Sequence, residues 1–217
     1  MFVKTPSLTK YLFPSLVWKK NTDQKKIWIT FDDGPDEKVT PYLINVLEKF
    51  NIKATFFIIG NQAKKYPELV KLIINNGHKI GNHSFSHLNG FSTNNNKYLE
   101  DVQQAKKYID SDIFRPPYGK ITPFQIKNLK KDFKIIMWDI MSWDFKKNIY
   151  PNKIYKNVID NVENGSIILF HNNLKSYNNL KNSLEIILEK LKDKGYQFST
   201  TWELDRSNLN KFLLNFL

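Results

Sequence analysis

The sequence predicts an α/β fold on a parallel sheet, either open or closed into a barrel. Three observations lead there. Short apolar runs alternate with longer amphipathic stretches about seven times along the chain. The longer stretches are punctuated as helices are, with Pro near their starts and Gly at their ends. The uncommon polar residues fall just after the apolar runs, where the C-terminal ends of parallel strands share one face.

In chain order, residues 26–31 read as the first strand. Thr40 reads as an N-cap, with Pro41 at the first helical position and a helix to about Phe50. Residues 54–59 are apolar enough for a buried strand. Pro67 opens a helix that Gly77 caps, and 79–82 form a short strand. Residues 95–108 are helical in pattern, 113–115 a strand stub, 123–131 a helix and 133–138 a strand. A helix over 151–164 ends at Gly165, and 166–170 form the next strand. Residues 178–194 read as one long helix capped by Gly195, and 197–200 as the last strand. No linker or internal repeat divides the chain, and the Asn clusters at 94–96 and 172–173 read as local composition bias.

At 217 residues and 41% hydrophobic content, the chain suits one domain with a sizeable core, and wholesale disorder is excluded. The absence of Cys rules out disulfide scaffolds, thiolate nucleophiles and Cys-ligated metal centres. The net charge of +12 comes from 31 Lys and only two Arg, Arg115 and Arg206, with 25 Asn beside them. Lys spread this widely reads as a solvated basic surface; readers of nucleic acid lean on Arg, so no nucleic-acid partner is expected. No apolar run reaches the roughly 18 residues of a membrane span. The first twenty residues, broken by Lys4, Pro6, Lys10 and Pro14, show no continuous signal-peptide core, which reads as cytoplasmic.

Five segments bring Asp, His and Arg to the expected strand-end face. Asp32 and Asp33 follow the first strand; as a pair their side chains diverge, so one suits a metal while its neighbour stays free as a base. His83 and His87 lie four apart, a spacing that puts both rings on one side of a helical turn. Two His and one Asp leave positions open for water and substrate. Arg115, in a Lys-rich chain, points to a carboxylate that needs a planar guanidinium. Asp139 and Asp144 follow the fifth strand, and one of them is expected to partner His171 or Arg115. His171 ends the 166–170 strand and suits a general acid whose tautomer a carboxylate would hold.

The ordered set Thr30-Phe31-Asp32-Asp33-Gly34-Pro35, His83-Ser84-x-x-His87, Arg115-Pro116-Pro117-Tyr118, 138–145 and Leu169-Phe170-His171 resembles the polysaccharide deacetylases, the NodB-homology domain of carbohydrate esterase family four. The resemblance runs over most of the chain. It divides it into an N-terminal extension (1–25) packed on the core, the deacetylase domain (26–202) and a C-terminal tail (203–217). It implies a distorted (β/α) barrel of seven or eight strands in a single domain, and a divalent metal: Zn2+, with Co2+, Mn2+ or Ni2+ as substitutes. By the same resemblance Asp33, His83 and His87 bind the metal, Asp32 is the general base and His171 the general acid. Arg115 orients Asp32, Asp144 pairs with His171, the Tyr118 N–H helps hold the oxyanion, and Pro117, Tyr118 and Trp143 line the sugar groove. The implied reaction removes acetyl groups from N-acetylated amino sugars of a glycan, and family analogy places it at the cell envelope. The chain departs from the family at Asn172, commonly Asp, at Met141, often acidic, and at Phe145, frequently Trp. Related deacylation of O-acetyl esters, formamides or cyclic amides fits the same residues, and Asn172 raises a carbohydrate-binding pseudoenzyme as a further alternative.

Overall fold

A computed structural model describes residues 2–202; the tail 203–217 lies outside the described residues. Eight strands, β1 (Lys26–Asp33), β2 (Thr55–Ile58), β3 (Lys79–Asn82), β4 (Ile113–Phe114), β5 (Lys134–Ile135), β6 (Ile140–Met141), β7 (Ile167–His171) and β8 (Gln197–Phe198), make one sheet. Its order is β5-β4-β3-β2-β1-β7-β6, with β8 on the start of β1, and every strand pair is parallel. β1 sits at the centre and is buried on both faces: Ile27 to Phe31 are all buried, an apolar run broken only by Thr30, as a central strand of a helix-covered parallel sheet must be. The fold is a curled parallel sheet with helices, a single α/β domain of distorted-barrel type.

The two ends of the sheet, β5 and β6, are four residues apart in sequence, so the chain crosses from one edge to the other at 136–139. Residues near the N-terminus reinforce that seam. Val17 pairs with Ile135 and Met137 on one side; Val3 and Thr5 pair with Met141 and Asp139 on the other. A short helix, Ser7–Leu12, lies between these contacts. Lys10 reaches the buried Asp139 at 2.5 Å, and Ser166 donates to the same carboxylate at 2.8 Å. Asp139 is thereby a fastening of the seam, while its neighbour Asp144 serves the strand-end face described below.

The sequence pattern locates seven of the eight strands, with the longer ones within a residue or two, and three differences have physical causes. Thr40 is not an N-cap. The helix runs Val39–Lys49, and the Asp36 carboxylate accepts the Lys38 and Val39 N–H groups, each at 2.9 Å. The region 178–194 is not one helix: Leu174–Lys181 and Leu184–Asp193 are separate. At their junction Asn182 and Ser183 donate to the carbonyls of Asn178 and Asn179, side-chain bonds that compete with the helical ladder. The segment 133–138 pairs over only two residues before it leaves to cross the seam, and the strand β6 beyond it lacks any local signal.

Candidate active site

Parallel pairing sets the site. Asp32 is in register with Phe57 of β2 and with His171 of β7, and Ile58 of β2 is in register with Asn82 of β3. Asp32, Asp33, His83, Arg115 and His171 therefore leave the same end of neighbouring strands. Successive residues of a strand point to opposite faces, and Asp33 (φ 83°) leaves the strand conformation altogether. The two carboxylates consequently differ in their hydrogen-bond partners, although His83 Nε2 lies near both, 3.8 Å from Asp32 Oδ2 and 3.6 Å from Asp33 Oδ1.

Asp32 is buried, and its Oδ1 accepts from Arg115 Nη1 at 2.7 Å. Arg115 is itself fully buried, and every guanidinium nitrogen is used: Nη1 also donates to Thr30 Oγ1, Nε to the Ile136 carbonyl and Nη2 to the Met137 carbonyl. Its Cζ lies over the Phe57 ring, 4.1 Å from the ring centre. Two of its acceptors belong to the crossing segment, so one side chain fixes both the seam and Asp32.

Asp33 Oδ1 lies 3.1 Å from His87 Nε2 and 3.6 Å from His83 Nε2. These three ligand atoms lie within 4.8 Å of one another, the one such group among the described residues. The far nitrogen of His83, Nδ1, is 2.8 Å from the Arg115 carbonyl. A carbonyl only accepts, so Nδ1 carries the proton and Nε2 turns a lone pair inward, as a metal ligand must. Burial opposes ionisation of Asp33, but the neighbouring His83 and His87 and the charge of His171 outweigh it and hold the carboxyl well below the usual carboxylate range. A carboxylate and two imidazoles, one of them oriented by a carbonyl, fit a divalent cation.

The His loop is not the helical turn that its spacing suggests. Ser84 and His87 have φ of 63° and 58°, and the loop is held from outside. Asn82 Oδ1 accepts the Ser84 N–H, Ser84 Oγ accepts the His87 N–H, and the Gly60 and Asn61 N–H groups donate to the Ser84 and Phe85 carbonyls. Buried Asp101, on the helix Asn95–Ala105, accepts the Phe85 and Ser86 N–H groups at 2.9 and 3.0 Å through a single oxygen. Sequence reasoning missed Asp101; its sole local signal is an acid on the inward face of an amphipathic helix.

On the opposite side of Asp32, His171 Nδ1 lies 2.8 Å from Asp144 Oδ1, and the His171 N–H donates to Asp144 Oδ2, also at 2.8 Å. Asp144 is buried and takes a further bond from Ser142 Oγ. Burial lowers the pKa of His171, but the charge and hydrogen bond of Asp144, with smaller help from Asp33 and Asp32, push it up to about 9. The Phe145 ring meets the imidazole edge-on at 4.6 Å, and Trp143 packs on Phe145 at 5.4 Å. Tyr118 (φ 59°) is exposed with its ring against His87 at 4.6 Å; Pro117 is buried. The turn bonds here run from Gly119 to Pro116 and from Lys120 to Pro117, and leave the Tyr118 N–H out. Asn172 is buried beside Gly34; its backbone N–H donates to the Asp32 carbonyl at 2.7 Å, while its side chain exchanges hydrogen bonds with Thr40 on the Val39–Lys49 helix rather than with the side chains above. A Cβ on Gly34 would meet its amide at 2.1 Å, so the close approach demands glycine.

The arrangement combines a cation site, a carboxylate fixed by one oxygen, and a carboxylate-supported imidazole, which together suit hydrolysis of an amide or ester. Comparison with known proteins agrees. The family model described as polysaccharide deacetylase matches residues 19–133. A peptidoglycan-N-acetylglucosamine deacetylase of Bacillus cereus is 34% identical over 211 residues, which are 92% of this chain and 98% of that one. The peptidoglycan-N-acetylmuramic acid deacetylase PdaC of Bacillus subtilis is 34% identical over 84% of this chain and 39% of its own length. A crystal structure of a peptidoglycan N-acetylglucosamine deacetylase, in complex with a naphthyl N-oxidanyl-benzamide, superposes with a TM-score of 0.83 at 32% identity, over 90% of this chain and 94% of that one.

Proposed function

The chain belongs to the polysaccharide deacetylase family, and on that basis we propose that it hydrolyses the acetamido group of N-acetylated amino sugars in a glycan, peptidoglycan N-acetylglucosamine first among them, at a centre that holds a divalent metal. The observation that carries this reading is the division of labour between adjacent carboxylates: Asp33 Oδ1 faces two imidazoles, while Asp32 is tied to Arg115.

Asp33, His83 and His87 would hold the metal, zinc being the best match to two imidazoles and one carboxylate. When bound, the metal supplies Lewis acidity that makes water a nucleophile near neutral pH and polarises the acetyl carbonyl. Asp32 receives the proton of the attacking water. Arg115 occupies Oδ1 and leaves Oδ2 for that proton, so the base is oriented before substrate arrives. The Tyr118 N–H, uncommitted in its turn, donates to the oxygen that becomes negative. His171, with Nδ1 turned to Asp144, offers Nε2; being protonated at neutral pH, it gives its proton to the departing amine. Tyr118 and Trp143 offer aromatic surface to the sugar rings beside this centre, with Pro117 buried beneath the turn. Phe145, which sequence reading marked only as a departure, backs the acid.

The test is acetate release from N-acetylglucosamine oligomers, N-acetylmuramic-acid-containing peptidoglycan and acetyl esters, with the protein loaded with zinc. Acetate and free amine from the oligomers or peptidoglycan are expected. Release from esters alone would replace the reading by an O-deacetylase, and no release from any substrate by zinc-loaded protein would overturn it.

A further inference from the structure

Asn173 reads as background in the sequence, one of 25 asparagines and part of a local pair. In the structure its amide is used at both ends. Nδ2 donates to Asp33 Oδ2 at 2.6 Å. Oδ1 accepts from the Ser176 N–H and the Ser176 hydroxyl, each at 3.1 Å, and so caps the helix Leu174–Lys181. The orientation of the amide is fixed by its partners, since a carboxylate only accepts and a backbone N–H only donates.

Asp33 Oδ1 is the oxygen that faces His83 and His87; Oδ2 is the one that Asn173 takes. Left alone, a carboxylate rotates and offers a cation either oxygen or both. A donor on Oδ2 fixes the plane of the group and leaves Oδ1 as the sole ligand oxygen. The matter is acute at Asp33, because its left-handed backbone (φ 83°) lies outside the strand geometry that aims Asp32. The same helix also supports the acid side: Asn179 Nδ2 donates to the Asp144 carbonyl at 2.6 Å and to the Lys146 carbonyl at 3.2 Å. One eight-residue helix thus grips both halves of the centre.

We infer that Asn173 is a positioning residue that holds Asp33 in single-oxygen coordination of the metal and couples that ligand to the helix Leu174–Lys181. The inference rests on the metal-site reading above and adds to it a determinant of metal affinity outside the ligand set.

Asn173→Ser and Asn173→Ala separate the two ends of the amide. Serine is a good N-cap but falls short of Asp33, whereas alanine provides neither bond. The probe is Zn2+ alone, its affinity measured by competition with a chromophoric chelator, together with the visible absorption bands of the Co2+-loaded protein. Asn173→Ser is expected to melt within a few degrees of wild type, bind Zn2+ about tenfold or more weakly and shift the Co2+ bands. Wild-type Zn2+ affinity and Co2+ bands in Asn173→Ser would overturn the inference and reduce the residue to a cap. Should Asn173→Ala fail to fold, the serine variant decides alone. A wild-type protein that binds neither cation would overturn the metal-site reading itself, a result distinct from a serine variant that binds as well as wild type.

Discussion

Asp144 grips His171 twice, with one oxygen on the ring nitrogen and the other on the backbone N–H, both at 2.8 Å. The ring is thereby held in one orientation with its second nitrogen free, and its charged form is favoured up to about pH 9. That value lies above the ordinary 6.5 of histidine. The pair therefore contributes stability that is fully present below about pH 6.5 and is lost as pH rises through about 9.

A pH prediction follows for Asp144→Asn. An amide keeps one acceptor oxygen, enough for the ring nitrogen but not also for the backbone N–H, and supplies no charge. A metal on Asp33 cancels the help that carboxylate gives His171, so the contribution of Asp144 dominates in the loaded enzyme. The alkaline limb of kcat/KM is expected below about pH 9 in the metal-loaded wild type and at least one unit lower again in Asp144→Asn, with activity on the alkaline side down about tenfold or more. An unmoved alkaline limb in the variant would remove His171 as the acid.

Asp32 and Asp33 are adjacent in sequence and differ in consequence. Asp32→Asn is expected to lower turnover by at least about 100-fold while zinc content stays at one per chain. Asp33→Ala is expected to lose the zinc. Metal analysis after gel filtration, beside acetate release, reads both; loss of zinc from Asp32→Asn would reverse the assignment.

Much of this was legible in the sequence, for a reason particular to parallel sheets. Strand ends share a face, so Asp32, His83, Arg115 and His171 could be grouped from strand positions alone, before any distance was known. Strand positions alone left open which of Asp139 and Asp144 partners His171, and the family resemblance singled out Asp144; the fastening of Asp139 to Lys10 was not foreseen, because the partner lies 129 residues away near the N-terminus. Asp101 and Asn173 escaped for a related reason. Each acts through a bond to a distant loop or carboxylate, 15 or more residues away, and carries no local pattern beyond that of a helix face or a cap. The break at Asn182–Ser183 escaped because side-chain competition with the helical ladder leaves the apolar periodicity intact.

Asp101 is expected to matter for metal as well as for stability. Its single oxygen receives two N–H groups from the turn between the two histidines, at 2.9 and 3.0 Å. Hydrogen bonds to a charged acceptor contribute about 1.5–3 kcal/mol. Asp101→Ala should lose roughly that much in urea unfolding and bind zinc more weakly, because His87 follows the freed turn directly. Stability lost with zinc affinity unchanged would confine Asp101 to the fold.

Tyr98 is the counterexample among buried polar groups. Its hydroxyl is the one buried side-chain polar atom among the described residues without a hydrogen-bond partner, and burial with the nearby Asp101 charge pushes its phenol pKa well up. A hydroxyl stripped of water without compensation costs stability. Tyr98→Phe keeps the ring in its core and removes only that oxygen, so the variant should be more stable by about 1 kcal/mol in urea unfolding. A loss of stability would reveal a partner for the hydroxyl.

Arg115→Lys tests why a chain so rich in Lys keeps Arg here. The guanidinium serves Thr30 Oγ1, Asp32 Oδ1 and the carbonyls of Ile136 and Met137, and stacks on Phe57, with no exposure to water. An ammonium is a point donor and cannot reach the Asp32 carboxylate and both seam carbonyls at once. Whichever partner it leaves is buried without a donor: a stranded Asp32 removes the oriented base, and stranded carbonyls loosen the crossing segment between β5 and β6. The expected cost is about 3 kcal/mol, or roughly 6–12 °C in Tm, with activity down at least about 100-fold even where the protein remains folded. The two effects have different sources, so they respond differently to temperature. Cooling the assay restores the folded fraction but not the orientation of Asp32, and the activity deficit of the variant should persist at 10 °C. Recovery of wild-type turnover on cooling would make Arg115 a structural fastener alone.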